Sequence, residues 1–451
     1  MDHSSFDHLT RAVAALRTRR AAATAFATGL AALPLLGGAL LPDDAAAKRQ
    51  RHRRQHASHT AAAEKKKKKK KATYCVNGQT TQVTLTKKSK KRLKQQGATP
   101  GACAPSGCQP ACAPGSICCG GACKIGTFVN QTTFAANGSG ATTIDGPYGV
   151  AITSDTRAVW IADYFNNRVS VWTRPDASGV NWSNQTTFGS GPASGASNFR
   201  YPTGVAVAAD GLTVWIADSQ NHRVAVWSRP NPGGSWTAGP AIAGPTSGSS
   251  LTKLDSPQGV AITADGMTAI VADSFNHRVS VWMRASVGGP WGNQQVFGSH
   301  GSTMDKMIYP YGVAVTPDGL QVAVADANNN RIAIWTRATA TGTFTAQTTF
   351  GGGPPSADAN RFNQPRKVTF SSDARTAYIA DPQNSRVSIW SRTTASSTDW
   401  QNQTIIGAGV GTGPANLTAP QDVAVSPDGQ TLVIADTTND RISVWSMTCP
   451  A

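Results

Sequence analysis

The chain has 451 residues, 39% of them hydrophobic, with 44 Gly, 26 Pro and a formal net charge of +17, a length that accommodates several domains at roughly 150 residues each. The charge excess is confined to residues 48–94, where 18 Lys or Arg face the single acid Glu64, whereas residues 95–451 hold twenty basic and twenty acidic side chains. A neutral C-terminal region excludes a broad phosphate-binding surface, which needs a basic footprint, so nucleic acid is not an expected partner there.

In chain order, residues 1–47 carry Arg11, Arg17, Arg19 and Arg20 ahead of an uncharged stretch from Ala21 to Leu41 that Gly29, Pro34, Gly37 and Gly38 interrupt. This pattern predicts an export signal, with Ala45-Ala46-Ala47 as the cleavage site, and hence an extracellular or envelope-associated protein. The stretch is long enough to span a bilayer, but it is only weakly apolar, and cleavage would leave no stable membrane span.

Residues 48–71 run from Lys48-Arg49-Gln50-Arg51 to seven consecutive lysines, Lys65 to Lys71. Like charges with nothing apolar between them predict a disordered spacer, which would also serve as an electrostatic tether to an anionic envelope polymer.

Residues 72–126 hold Cys75, Cys103, Cys108, Cys112, Cys118, Cys119 and Cys123, and Cys449 stands alone at the far end. After an export signal, such clustering predicts a small disulfide module. Zinc is the poorer reading, because no two of these cysteines are spaced as a metal knuckle and no histidine occurs between Ala72 and Asn130. Seven is odd, so complete oxidation requires Cys449 to reach back to the module.

Residues 127–451 are built from one unit used six times. Pro147, Pro202, Pro257, Pro310, Pro365 and Pro420 are each followed sixteen residues later by an aspartate. A fixed period of this size marks a repeat architecture whose units bury their apolar surface on each other. In the first copy, alternating residues Pro147 to Thr153, the run Val159-Trp160-Ile161-Ala162 and the run Val169-Ser170-Val171-Trp172 are separated by turn residues, which predicts three short strands in hairpins. A fourth strand is expected 13 to 15 residues before each proline, at Phe134, Phe188, Ile242, Phe297, Phe350 and Ile406.

One such strand precedes the first proline, and none follows Trp445. The leading strand therefore has its place beside the last one, which predicts an all-β, closed six-bladed β-propeller of four-stranded blades rather than an open solenoid. Antiparallel pairing of Val444 and Trp445 with Phe128 to Phe134 would bring Cys449 near Cys123, so a bridge between them is expected to clasp the ring.

The stretches Pro202-Thr203-Gly204-Val205-Ala206-Val207, Ala209-Asp210-Gly211 and Ile216-Ala217-Asp218-Ser219-Gln220-Asn221-His222-Arg223-Val224 closely resemble the NHL repeat, and the likeness extends over all six copies. The resemblance implies a six-bladed propeller. It implies no single activity, since members bind proteins, RNA or small molecules and some related propellers are lyases or hydrolases.

The shared triad is Asp163, Asn166 and Arg168; Asp218, Asn221 and Arg223; Asp273, Asn276 and Arg278; Asp326, Asn329 and Arg331; Asp381, Asn384 and Arg386; Asp436, Asn439 and Arg441. It is expected to be structural, Asp and Asn bonding the hairpin's own backbone while Arg neutralises Asp. Trp172, Trp227, Trp282, Trp335, Trp390 and Trp445 are expected to pack between blades.

A ligand site is sought where the copies differ. The glycine two after the proline, present as Gly149, Gly204, Gly259 and Gly312, becomes Lys367 and Asp422 in the last two copies. With Arg366, Tyr148 and Tyr311 these residues form the candidate binding cluster near the axis. The bland alternative is repeat drift, with Lys367 and Asp422 an incidental exposed pair.

No nucleophile elbow, zinc helix or phosphate loop occurs, and the repeats offer only His222, His277 and His300 as imidazoles and no Glu. The Asp–Gly turns at Asp210, Asp265, Asp318 and Asp428 supply the oxygen ligands that calcium takes, but hairpins need the same residues, so no cofactor is expected. The expected function is a secreted or envelope-associated binding scaffold that engages a protein, polymer or glycan through one propeller face. A lyase or hydrolase of a small extracellular substrate is the alternative, and a structural surface protein the third; oligomeric state is not specified by the residues.

Overall fold

The computed structural model describes residues 126–449 apart from Ser178, Ser190 and Ala408, and before them the backbone of five strands, all within the unit Lys69–Ala451. The segment expected to be an export signal, the basic spacer other than Lys71 and the cysteine side chains before Cys449 lie outside the described residues. Of the five early strands, Lys71–Val76 pairs with Gln79–Thr84 and Thr99–Pro100, and Ser116–Cys119 forms a hairpin with Ala122–Ile125. No helix among the described residues is long and apolar enough to cross a membrane.

From Thr127 onward the chain forms six four-stranded antiparallel sheets. In blade 1 the strands run outward from the axis as Pro147–Ile152, Ala158–Asp163, Arg168–Thr173 and Ser183–Phe188. Val159 to Ala162, apolar on both faces, are fully buried, because each blade is covered by a neighbour on either side. The core is accordingly a series of packed layers that each join two blades. One layer sets Val150, Val159, Ile161 and Trp172 of blade 1 against Val433, Ala435, Ile442 and Val444 of blade 6.

The repeat's tryptophans are the large pieces in these layers. Trp172 of blade 1 packs on Phe134 from the neighbouring sheet at 5.1 Å between ring centres, and Trp227, Trp335 and Trp390 meet Phe188, Phe297 and Phe350 in the same way. Contacts at these separations add to the area that the rings bury.

The ring closes through the ends of the repeat region. Thr127–Phe134 pairs antiparallel with Arg441–Thr448, from Ile442 opposite Phe134 to Thr448 opposite Thr127, and becomes the outer strand of blade 6. No sheet margin is left open at the seam, as the strand order of the sequence requires.

One outer strand departs from expectation. In blade 2 it is reduced to Thr237–Ala238, with an isolated bridge from Ile242 to Val224. Pro240 lies between the two pieces and has no N–H to donate to the ladder, which confines it to a break in an edge strand.

Candidate functional site

The Asp–Asn–Arg triad fastens each blade to the loop that leads into it. In blade 4, Asp326 is fully buried and its Oδ1 accepts the backbone N–H of Ile308 at 2.8 Å. Its Oδ2 accepts from Asn329 Nδ2 at 2.8 Å and Arg331 Nε at 2.7 Å, while the guanidinium end donates to the carbonyls of Ser302, Thr303 and Lys306. The same bonds recur around the ring, from Asp163 with Asp145 N to Asp436 with Thr418 N. The backbone partner is therefore the long loop eighteen residues upstream, not the hairpin itself: in blades 2 to 6 the aspartate makes no side-chain bond to the backbone amides of the turn that follows it. Burial pushes each carboxyl up, while the backbone N–H, Asn and Arg draw it down.

A second ring of bonds escaped sequence reasoning. The residue between the triad's Asn and Arg adopts a left-handed conformation, with φ of 49 to 53° at Asn167, His222, His277, Asn330, Ser385 and Asp440. Its side chain accepts the backbone N–H just before the next blade's proline: Tyr201 N on Asn167 Oδ1 at 2.9 Å, Ser256 N on His222 Nδ1 at 3.1 Å, and so on to Gly146 N on Asp440 Oδ1 at 2.8 Å, which spans the seam. His222 Nδ1 also stands 3.3 Å from Asp255 Oδ1. Burial and the adjacent His300 lower the pKa of His277 to about 4, consistent with the accepting role. These imidazoles stand on turns between blades and serve the frame.

At the axis, the residue after each proline lines one small cavity: Tyr148, Thr203, Gln258, Tyr311, Arg366 and Gln421, with Lys367 and Asp422 among them. The structure thus brings all five candidate residues together. Four innermost strands approach so closely here that a Cβ on Gly149, Gly204, Gly259 or Gly312 would collide with a carbonyl oxygen of the next blade. In blades 5 and 6 the innermost strands begin later, at Lys367–Phe370 and Asp422–Val425, and two side chains take the space instead.

Lys367 Nζ stands 3.6 Å from Asp422 Oδ2, and the side chains are only 12% and 5% exposed. The pair is a buried plug in the neck of the axial channel and not the exposed pair that drift would leave, because the strands converge where a sequence alone shows only a charge. Asp422 Oδ2 also accepts the N–H of Val150 in blade 1, at 3.2 Å. Burial, against the pull of Lys367, pushes its carboxyl up to about 6, and its Oδ1 has no hydrogen-bond partner among the described residues.

Around the plug lies an aromatic and cationic rim. The Arg366 guanidinium lies over the Tyr311 ring at 3.6 Å, a cation–π stack. Tyr148 stacks on Tyr164 at 4.1 Å, and Tyr164 meets Tyr201 at 4.8 Å. Tyr164, buried on the turn after the second strand, and Tyr201, just before a proline, extend the cluster beyond the residues chosen from sequence; both belong to variable positions of the repeat, which was the available signal. The cavity within the rim has a volume of only about 20 Å³, room for about one water. Among the described residues no group of three His, Cys, Asp or Glu is placed to hold a metal ion.

The NHL repeat family matches residues 199–227, the second blade, where the triad, the turn and the strand order have just been described. The chain is a six-bladed β-propeller with an NHL repeat match in its second blade. A second family, described as lactonase, 7-bladed beta-propeller, matches residues 244–449, although the propeller here has one blade fewer than that description states. No curated protein matches the chain.

Similar solved structures include a protein from Lactobacillus plantarum, 16% identical, covering 72% of this chain and 87% of its own, with a TM-score of 0.48. A candidate 6-phosphogluconolactonase from Bacteroides uniformis is 14% identical over 67% of this chain and 82% of its own, with a TM-score of 0.46. A functionally unknown protein from Desulfotomaculum acetoxidans is 14% identical over 60% of this chain and 73% of its own, with a TM-score of 0.42. Likenesses at this level say nothing of what this propeller binds.

Proposed function

We propose that the protein is an exported binding scaffold that holds a protein, glycan or anionic polymer on the mouth face of its propeller. The observation that carries this reading is the combination of Tyr148, Tyr201, Tyr311 and Arg366, with the buried Tyr164 behind them, around a neck that Lys367 and Asp422 fill. A rim of aromatic faces and one guanidinium suits recognition by stacking and charge, and a cavity of about 20 Å³ admits no substrate, so the ligand is met on the surface.

A thermal-shift screen of the mature protein against peptides, glycans and envelope polymers finds the ligand, since selective binding to the native state raises its melting temperature. For the strongest hit, Tyr311→Ala and Arg366→Ala are each expected to weaken binding at least tenfold, about 1.4 kcal/mol. The double variant is expected to lose less than the sum, because the two side chains are one stack. Unchanged affinity in both single variants would overturn the reading.

The lactonase match over residues 244–449 supports a second reading, hydrolysis of a lactone. Lactone turnover by the purified protein, undiminished in Tyr311→Ala and Arg366→Ala, would favour it over binding at the mouth.

The scaffold is proposed to be clasped by a disulfide. Cys449 is disulfide-bonded, with its partner outside the described residues, and it follows Thr448, which pairs with Thr127. Peptide mapping of the non-reduced protein is expected to recover Cys123 linked to Cys449; any other partner removes that pairing.

A further inference from the structure

The other end of the axis holds a larger cavity, of about 500 Å³. It lies where the innermost strands end, about 17 Å from the mouth at roughly 3.3 Å per strand residue. Ile152, Val207, Ile262, Phe370 and Val425 line it from five blades, and Trp215 from the second strand of blade 2. Val287, 75% exposed, stands on its border. Volume and lining are those of a small-molecule site, typically ~300–1,000 Å³ and mostly apolar with a few convergent polar groups.

The convergent polar group is Arg284, only 8% exposed and among the cavity's lining residues. Its Nε donates to Gly266 O at 2.9 Å, and its guanidinium lies 4.7 Å from the centre of Trp291 and 5.7 Å from that of Trp215. The equivalent arginines of blades 2 and 5 commit their terminal nitrogens to protein oxygens, Arg229 to Pro232 and Gly211, Arg392 to Ser397, Ala374 and Gln321. Among the described residues no hydrogen bond reaches the terminal nitrogens of Arg284.

A rigid planar fork with both ends free, held against aromatic walls, matches a carboxylate. Asp210 and Asp265 also border the cavity, each with Oδ1 engaged by its own turn, at Leu212 N and Met267 N. The two carboxylates repel anions and so work against polyanions such as phosphates, which limits the ligand to a single negative charge held directly on the fork.

We propose that this cavity binds a small apolar carboxylate, its chain or ring against the ends of the innermost strands and its carboxylate on the Arg284 fork. The site is separate from the mouth and requires nothing of the ligand held there.

Calorimetric titration of the full chain with 4-phenylbutyrate and with 4-phenylbutanol tests this. The acid is expected to bind at least ten times more tightly than the alcohol. Arg284→Gln should remove that preference, and Val287→Asp, at an exposed position where folding is undisturbed, should weaken the acid tenfold or more. Tyr311→Ala should change neither, which separates this site from the mouth. No binding of the acid, equal affinity for acid and alcohol in the unaltered protein, or an unchanged preference in Arg284→Gln melting normally would overturn the proposal, as would unaltered binding in Val287→Asp.

Discussion

Asp326→Ala is expected to destabilise the propeller by about 3–5 kcal/mol, the cost of leaving one member of a buried ion pair without the other. The substitution removes three accepted hydrogen bonds at once, from Ile308 N, Asn329 and Arg331. It leaves the Arg331 guanidinium, 8% exposed, facing carbonyls alone. Asp326→Asn keeps an acceptor for Ile308 N but not the charge, and is expected to cost about half as much. Urea unfolding of the three proteins measures the differences; a loss below about 1 kcal/mol for Asp326→Ala would refute the frame role of the triad. Because the bonds repeat blade by blade, Asp218→Ala is expected to behave alike, with Arg223 as the stranded cation.

A chain beginning at Ala136 is expected not to fold as a monomer. It lacks Thr127–Phe134, so the strand Arg441–Thr448 becomes an open edge carrying Trp445, and Trp172 loses its contact with Phe134. An uncovered flat edge pairs with whatever strand it meets, so size-exclusion chromatography should show oligomers or aggregate. A chain beginning at Gly126 is the control and should elute and melt as a single cooperative species. Monomeric, normally melting protein from the shorter chain would contradict closure through this strand.

The fold was legible because its period is carried by residues that cannot be exchanged. Pro begins the innermost strand in four blades and closely precedes it in two, the Asp sixteen residues on ends the second strand in all six, and the count of strands before and after them sets the closure. Other features were hidden for physical reasons. Asn167, His222, Ser385 and Asp440 share no class of size or charge, only an oxygen or nitrogen at one reach from a left-handed backbone. Arg174, Arg229, Arg284, Arg337 and Arg392 each follow directly on a third strand, where a charge reads as solvent-facing. Yet each guanidinium lies over an aromatic ring at the start of the outer strand, from Trp182 to Trp400.

The candidate cluster was found by asking where copies disagree, and its five residues do share one cavity. Their chemistry was less legible. Whether Lys367 and Asp422 face water or each other depends on how tightly six strands converge, which is decided by backbone approach at Gly149, Gly204, Gly259 and Gly312.

The seam also imposes an order on birth. The strand that completes blade 6 is among the first parts of the ring to be translated, and its partner follows 321 residues later. At about 5–20 residues per second the ribosome needs roughly 15–60 s to deliver that partner. Throughout that interval an early strand must stay unmated, which favours a chain kept unfolded by a chaperone until its synthesis is finished.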